Sequence, residues 1–138
     1  LLVCVGPVAY CVDYARTQPA FAPNGSDALE DLRDHLRGQA IHPKRVWTDW
    51  ETARILPAYQ RDFWGGDKVW SGKPTSLTSG RTPKTGDYVV LFSARSPACP
   101  FCQTALKPWS NRHPDGPPAN WQRVYVADGG ILELYRVG

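Results

Sequence analysis

Methionine is absent from all 138 residues, position 1 included, so Leu1 is expected to be a processed or cut end. A long hydrophobic run is absent too. The most apolar stretch, residues 1–12 (Leu-Leu-Val-Cys-Val-Gly-Pro-Val-Ala-Tyr-Cys-Val), meets Asp13, Tyr14 and Arg16 at once. A bilayer-crossing helix needs about 20 apolar residues. The stretch is therefore too short to cross alone, but it suits the last turns of a membrane helix ending at an interfacial tyrosine. A secretory signal would carry a basic leader and a small-x-small cleavage site, and neither is present. A buried first helix or strand of a soluble domain is the other reading. Charge of one sign is also lacking: 16 basic and 13 acidic residues leave a net charge of +3 and no clustered basic face. A nucleic-acid partner is not expected.

Cysteine and histidine are sparse, four and three residues, which limits metal and thiol chemistry. A zinc site would have to join Cys99 and Cys102 to His35, His42 or His113, with no second CxxC or HxxxH to complete it. No metal or cofactor is expected. Cys4 and Cys11 lie inside the apolar start and read as small hydrophobes. Nucleophile elbows, Walker loops and dinucleotide-binding glycine motifs are missing as well.

What remains describes one ordinary globular domain. Hydrophobic residues make up 42% and charged residues 21%, while 13 prolines and 12 glycines imply long irregular connections. Residues 17–25 contain Pro19, Pro23, Asn24 and Gly25 and should break any helix. Asp27 with Glu30 three positions later forms a capping-box pattern, so a helix is expected over 27–38. Leu29, Leu32 and Leu36 would give its buried face, and His35 would pair with Asp31 on its surface. A strand at 45–48 and a second capping box, Thr48-Asp-Trp-Glu51, would follow, with Pro57 kinking or restarting the helix. Asp49 and Ser93, each beyond a strand end, read as cap or turn residues ahead of ligand contacts.

Lys68-Val-Trp70 is a candidate parallel strand, and residues 71–86 read as a surface loop. The strand at 88–94, apolar on both faces, is expected to be central and parallel. A short helix at 101–107 should stop near Pro108, ahead of a polar connection over 111–120. Two strands around Asp128-Gly-Gly130 complete the chain as a hairpin. The expected fold is α/β: a single mixed sheet of about four or five strands, flanking helices and a C-terminal antiparallel hairpin. Residues 1–16 would be the end of an apolar, membrane-derived helix and residues 17–138 a single domain.

Two sites emerge. Lys68, Trp70, Lys73, Arg81 and Lys84 surround the loop and offer a surface for lipid headgroups or an acceptor, although a solvated loop is the plainer reading. Cys99-Pro-Phe-Cys102, between a strand and a helix, places thiols where a helix N-terminus would lower their pKa. Here the chain resembles thioredoxin-like proteins over some twenty residues, from Leu91-Phe-Ser-Ala94 to Pro108. That resemblance implies a redox pair at Cys99 and Cys102. The alternative is a structural disulfide or free thiol pair, and too little chain remains for the family's last helix.

A broader resemblance rests on Asp13-Tyr-Ala-Arg16, the Asp27-Ala-Leu-Glu-Asp-Leu-Arg-Asp-His-Leu36 helix, Val46-Trp-Thr-Asp-Trp-Glu-Thr-Ala-Arg54, Gly86-Asp-Tyr-Val-Val-Leu91 and Leu132-Glu-Leu-Tyr-Arg-Val137. This layout is similar to the extracytoplasmic C-terminal domain of bacterial multi-spanning glycosyltransferases, such as dolichyl-phosphate-mannose mannosyltransferases and aminoarabinose transferases. It implies a membrane-anchored parent using a polyprenyl-phosphate sugar, with its catalytic aspartates outside this chain. No catalytic residue is carried over. The domain would be a non-catalytic accessory unit on the extracytoplasmic face, contacting the membrane portion of its own polypeptide and assisting acceptor recognition. An oxidising exterior would then favour a Cys99–Cys102 disulfide. A thioredoxin-like oxidoreductase and an unrelated α/β binding module remain as alternatives.

Overall fold

The computed structural model describes residues 23–49, 52–54, 56–57, 72–92, 106–127 and 130–138. It contains one mixed five-stranded sheet, in agreement with the expected α/β class. Helix α1 (Pro23–Gly38) leads into β1 (Val46–Thr48), β2 (Thr75–Ser76), β3 (Tyr88–Phe92), β4 (Trp121–Ala127) and β5 (Leu132–Val137). The strand order is β2-β1-β3-β5-β4. β1 runs parallel to both β2 and β3, and β5 is antiparallel to β3 and β4.

α1 begins four residues before the Asp27 capping box predicts, so Asp27 is not its cap. Pro23 suits a first helical position because its fixed φ is helical and its missing N–H is not needed there. The i,i+3 spacing of a capping box is also the spacing of helical neighbours, which is why sequence pattern misplaces the start. Leu29, Leu32 and Leu36 are buried as their spacing requires. The C-terminus is a Schellman motif: the Ile41 amide donates to Leu36 O at 2.9 Å and the Ala40 amide to Arg37 O at 3.0 Å. The left-handed residue is Ala40, at φ 51°, while Gly38 sits two positions too early to serve. Ala40→Gly should therefore stabilise the protein by about 0.5–1 kcal/mol. A raised urea midpoint at unchanged m-value is the expected reading, and a lowered midpoint would refute it.

The inner strands β1, β3 and β5 are largely buried on both faces. α1 covers one, where Ala28, Leu29, Leu32 and Leu36 pack with Val46, Leu56, Val90, Phe92, Leu132 and Leu134. Trp47, Leu77, Val89, Leu91, Trp109, Trp121, Tyr135 and Val137 form the second cluster. The alternation of Val46 with Trp47 and of Val89 with Val90 between the two clusters is the period-2 signature of a strand. β3 is central, as expected, but parallel on one side only, since its other neighbour is β5.

Part of the stretch read as loop is a strand. Thr75–Ser76 pairs with Trp47 and Thr48, and Leu77 N donates to Thr48 O at 2.8 Å. Gly72 makes this docking possible, since a Cβ there would lie 2.5 Å from the Lys44 carbonyl oxygen. The candidate strand at Lys68–Trp70 lies outside the described residues, as do the apolar start with Cys4 and Cys11, and Ser93. The helix ahead of the polar connection is described over 106–110 and continues through Pro108, where the sequence reading ends it. At the other edge of the sheet, β4 carries a register shift between Arg123 and Tyr125. Such a bulge on an exposed strand discourages edge-to-edge pairing.

Candidate functional site

Asp49 acts as a cap. Immediately after β1 it is 1% exposed, its Oδ1 accepts the Thr52 amide at 2.8 Å and its Oδ2 accepts the Thr52 hydroxyl at 2.6 Å. The Ala53 amide donates to its carbonyl at 3.0 Å, which makes Asp49 the N-cap in place of Thr48.

The second sheet face carries the cleft. The segment 106–121 folds back over β3 and β5 because Trp109 and Trp121, 6% and 9% exposed, bury themselves there. Their rings stack at 5.5 Å with an interplanar angle of 20°, and Trp121 meets Tyr135 at 6.2 Å. His113 leans on Trp109 at 4.6 Å. Opposite lies the turn after β2, tied by the Arg112 guanidinium reaching the Leu77 carbonyl at 3.5 Å. Between the two segments is a cleft of about 480 Å³ with Arg81, Arg112, His113, Asn120, Trp109 and Trp121 among its lining residues. No carboxylate is among the described residues that line it. The indole N–H of Trp47 donates to Asp87 at 2.8 Å, whereas those of Trp109 and Trp121 meet no acceptor among the described residues.

A shallower depression of about 290 Å³ shares Trp109 and His113 and reaches Glu133. Glu133 accepts from the Tyr135 hydroxyl at 2.7 Å and from Arg123 at 2.9 Å. Burial, followed by that hydrogen bond, pushes the Tyr135 phenol up to about 12. Both carboxylate oxygens are thus engaged within the sheet. On the α1 face, His35 stacks flat on Tyr125 at 3.7 Å. The Tyr125 phenol is raised to about 12, by burial first and by Asp31 second.

Of the residues singled out by sequence, Lys73, Arg81 and Lys84 are exposed on the loops around β2. Of these three, Arg81 lines the cleft. Lys68, Trp70, Cys99 and Cys102 lie outside the described residues. Arg112 and Asn120 are the site residues that sequence reasoning missed, and it offers His113 only as a possible zinc ligand. The available signal was a basic pair inside a proline-rich connection bracketed by two tryptophans. Among the described residues there is no group of three or more His, Cys, Asp or Glu able to hold a metal. No described helix is long and apolar enough to cross a membrane. No family model, curated protein or solved structure matches the chain.

Proposed function

We infer that the chain is a non-catalytic extracytoplasmic accessory domain of a membrane glycosyltransferase-like protein, and that it assists acceptor recognition through the cleft on the second sheet face. The observation that carries this reading is the composition of the cleft. A volume of about 480 Å³ falls in the range of small-molecule sites, and a few polar groups set among aromatic side chains is their usual lining. Trp109 and Trp121, stacked on each other and mostly buried, form a rigid apolar floor to the cleft, and Arg81, Arg112 and Asn120 supply donors for the oxygens of a sugar. The layout resemblance over most of the chain supplies the membrane setting, with the membrane portion of the same polypeptide as the neighbour.

The test belongs in the intact membrane protein. Removing residues 17–138 should raise the acceptor KM about tenfold or more while leaving the donor KM unchanged. An unchanged acceptor KM would sink the reading. So would an independent start codon next to Leu1, or sugar transfer by the 138-residue chain alone.

A further inference from the structure

We propose that the cleft selects an anionic saccharide, a sugar ring bearing a phosphate or a carboxylate. The proposal rests on the acceptor-recognition reading of the same cleft and adds the charge of what it holds. Arg33, Arg37, Arg45 and Arg123 each have a carboxylate within 4.0 Å. Arg81 and Arg112 line the cleft and have no such partner among the described residues. Arg112 is exposed, and its guanidinium reaches the Leu77 carbonyl oxygen at 3.5 Å.

Two arginines lining one cleft, with no carboxylate among its described lining residues, make a site where an anion is favoured over a neutral sugar. A guanidinium presents its N–H groups in a planar fork that matches phosphate and carboxylate oxygens two at a time. A bare inorganic anion would use the guanidiniums alone. The stacked Trp109 and Trp121 and the flanking Pro83 and Pro118 form apolar walls of the same cleft, which suit a ring attached to the anion. His113, packed on Trp109, lines the same cleft and carries a ring N–H donor.

The experiment is a titration of the 138-residue chain followed by tryptophan fluorescence and isothermal calorimetry. The probes are glucose 1-phosphate, glucuronate, glucose and inorganic phosphate. Glucose 1-phosphate or glucuronate should bind saturably, with glucose and inorganic phosphate each at least about tenfold weaker; whichever anion binds more tightly identifies the charged group. Arg81→Ala should weaken the anionic sugar about tenfold, the loss expected for one charge-assisted hydrogen bond, and Arg81→Lys should recover part of it. Arg81 is exposed on a loop, so an unchanged unfolding midpoint confirms that the variant is folded. Glucose binding as well as its phosphate, undiminished in Arg81→Ala, would overturn the proposal and leave acceptor recognition standing. Inorganic phosphate binding as tightly as the phosphosugar would overturn the saccharide part. Silence with every probe would remove both readings. Attachment to phosphatidylglycerol vesicles without a response to either anionic sugar would assign the cations to a lipid surface and overturn the proposal.

Discussion

Trp47→Ala is expected to lower the stability of the protein by about 3–5 kcal/mol, the cost of truncating a large buried aromatic side chain. Trp47 is 1% exposed at the middle of β1, paired with Thr75 on one side and Val89 on the other. Its ring packs in the second-face cluster, beneath the segments that carry the cleft. Its indole N–H donates to Asp87 Oδ2 at 2.8 Å. Asp87 also accepts the Lys84 amide at 3.0 Å and lies 4.0 Å from Arg45, so one side chain ties β1 to the turn that opens β3. A domain with a total stability of about 5–15 kcal/mol would lose a large fraction of it. Trp47→Phe keeps most of the volume and gives up the hydrogen bond, so its loss should be nearer about 1–2 kcal/mol. Urea denaturation of the three proteins checks the ranking. A loss below about 1 kcal/mol for the alanine variant would show that the second face is not a cooperative part of the core.

Asp49→Ala should cost about 2–3 kcal/mol, which combines the loss of an N-cap with the stranding of buried donors. The Thr52 amide and hydroxyl both rely on this carboxylate, and the Thr48 hydroxyl lies 3.4 Å from it. Thr48, Asp49 and Thr52 are all at most 1% exposed, so water cannot readily replace the missing acceptor. Asp49→Asn retains an acceptor for the Thr52 amide and should lose about half as much. The same pair of variants separates a cap from a ligand. Unchanged stability in Asp49→Ala, accompanied by loss of sugar binding, would refute the capping role.

Local pattern was enough for some elements and not for others. α1 could be read because leucines at helical spacing report on a face that must be buried, and its start was misread because Pro23 is compatible with a first helical turn. β3 could be read because Tyr-Val-Val-Leu-Phe leaves no solvent face. β2 could not: Thr75 and Ser76 carry no apolar pattern and are a strand only because Trp47 and Thr48 present backbone groups to them. The stacking of His35 on Tyr125 joins α1 to β4, a contact between segments ninety positions apart that no helical spacing encodes. Of the cleft, sequence could mark Arg81 as a loop cation. It could not join Arg81 to Arg112, His113 and Asn120, which lie in a polar connection whose path is set by where Trp109 and Trp121 are buried.

The sequence by itself determined the α/β class, the helical face of α1, the two-sided burial of β3 and the terminal hairpin. Each of these follows from residue spacing that a short segment must satisfy wherever it packs. Tertiary structure alone decided that β5 enters between β3 and β4, and which half of each strand faces α1. It also decided that a turn after β2 meets the segment 106–121 over the second face. These choices depend on which distant surfaces bury the most area against one another. β5 is mostly buried and takes the inner place, while β4, exposed along much of its length, takes the edge and leaves the cleft open beside its first residue.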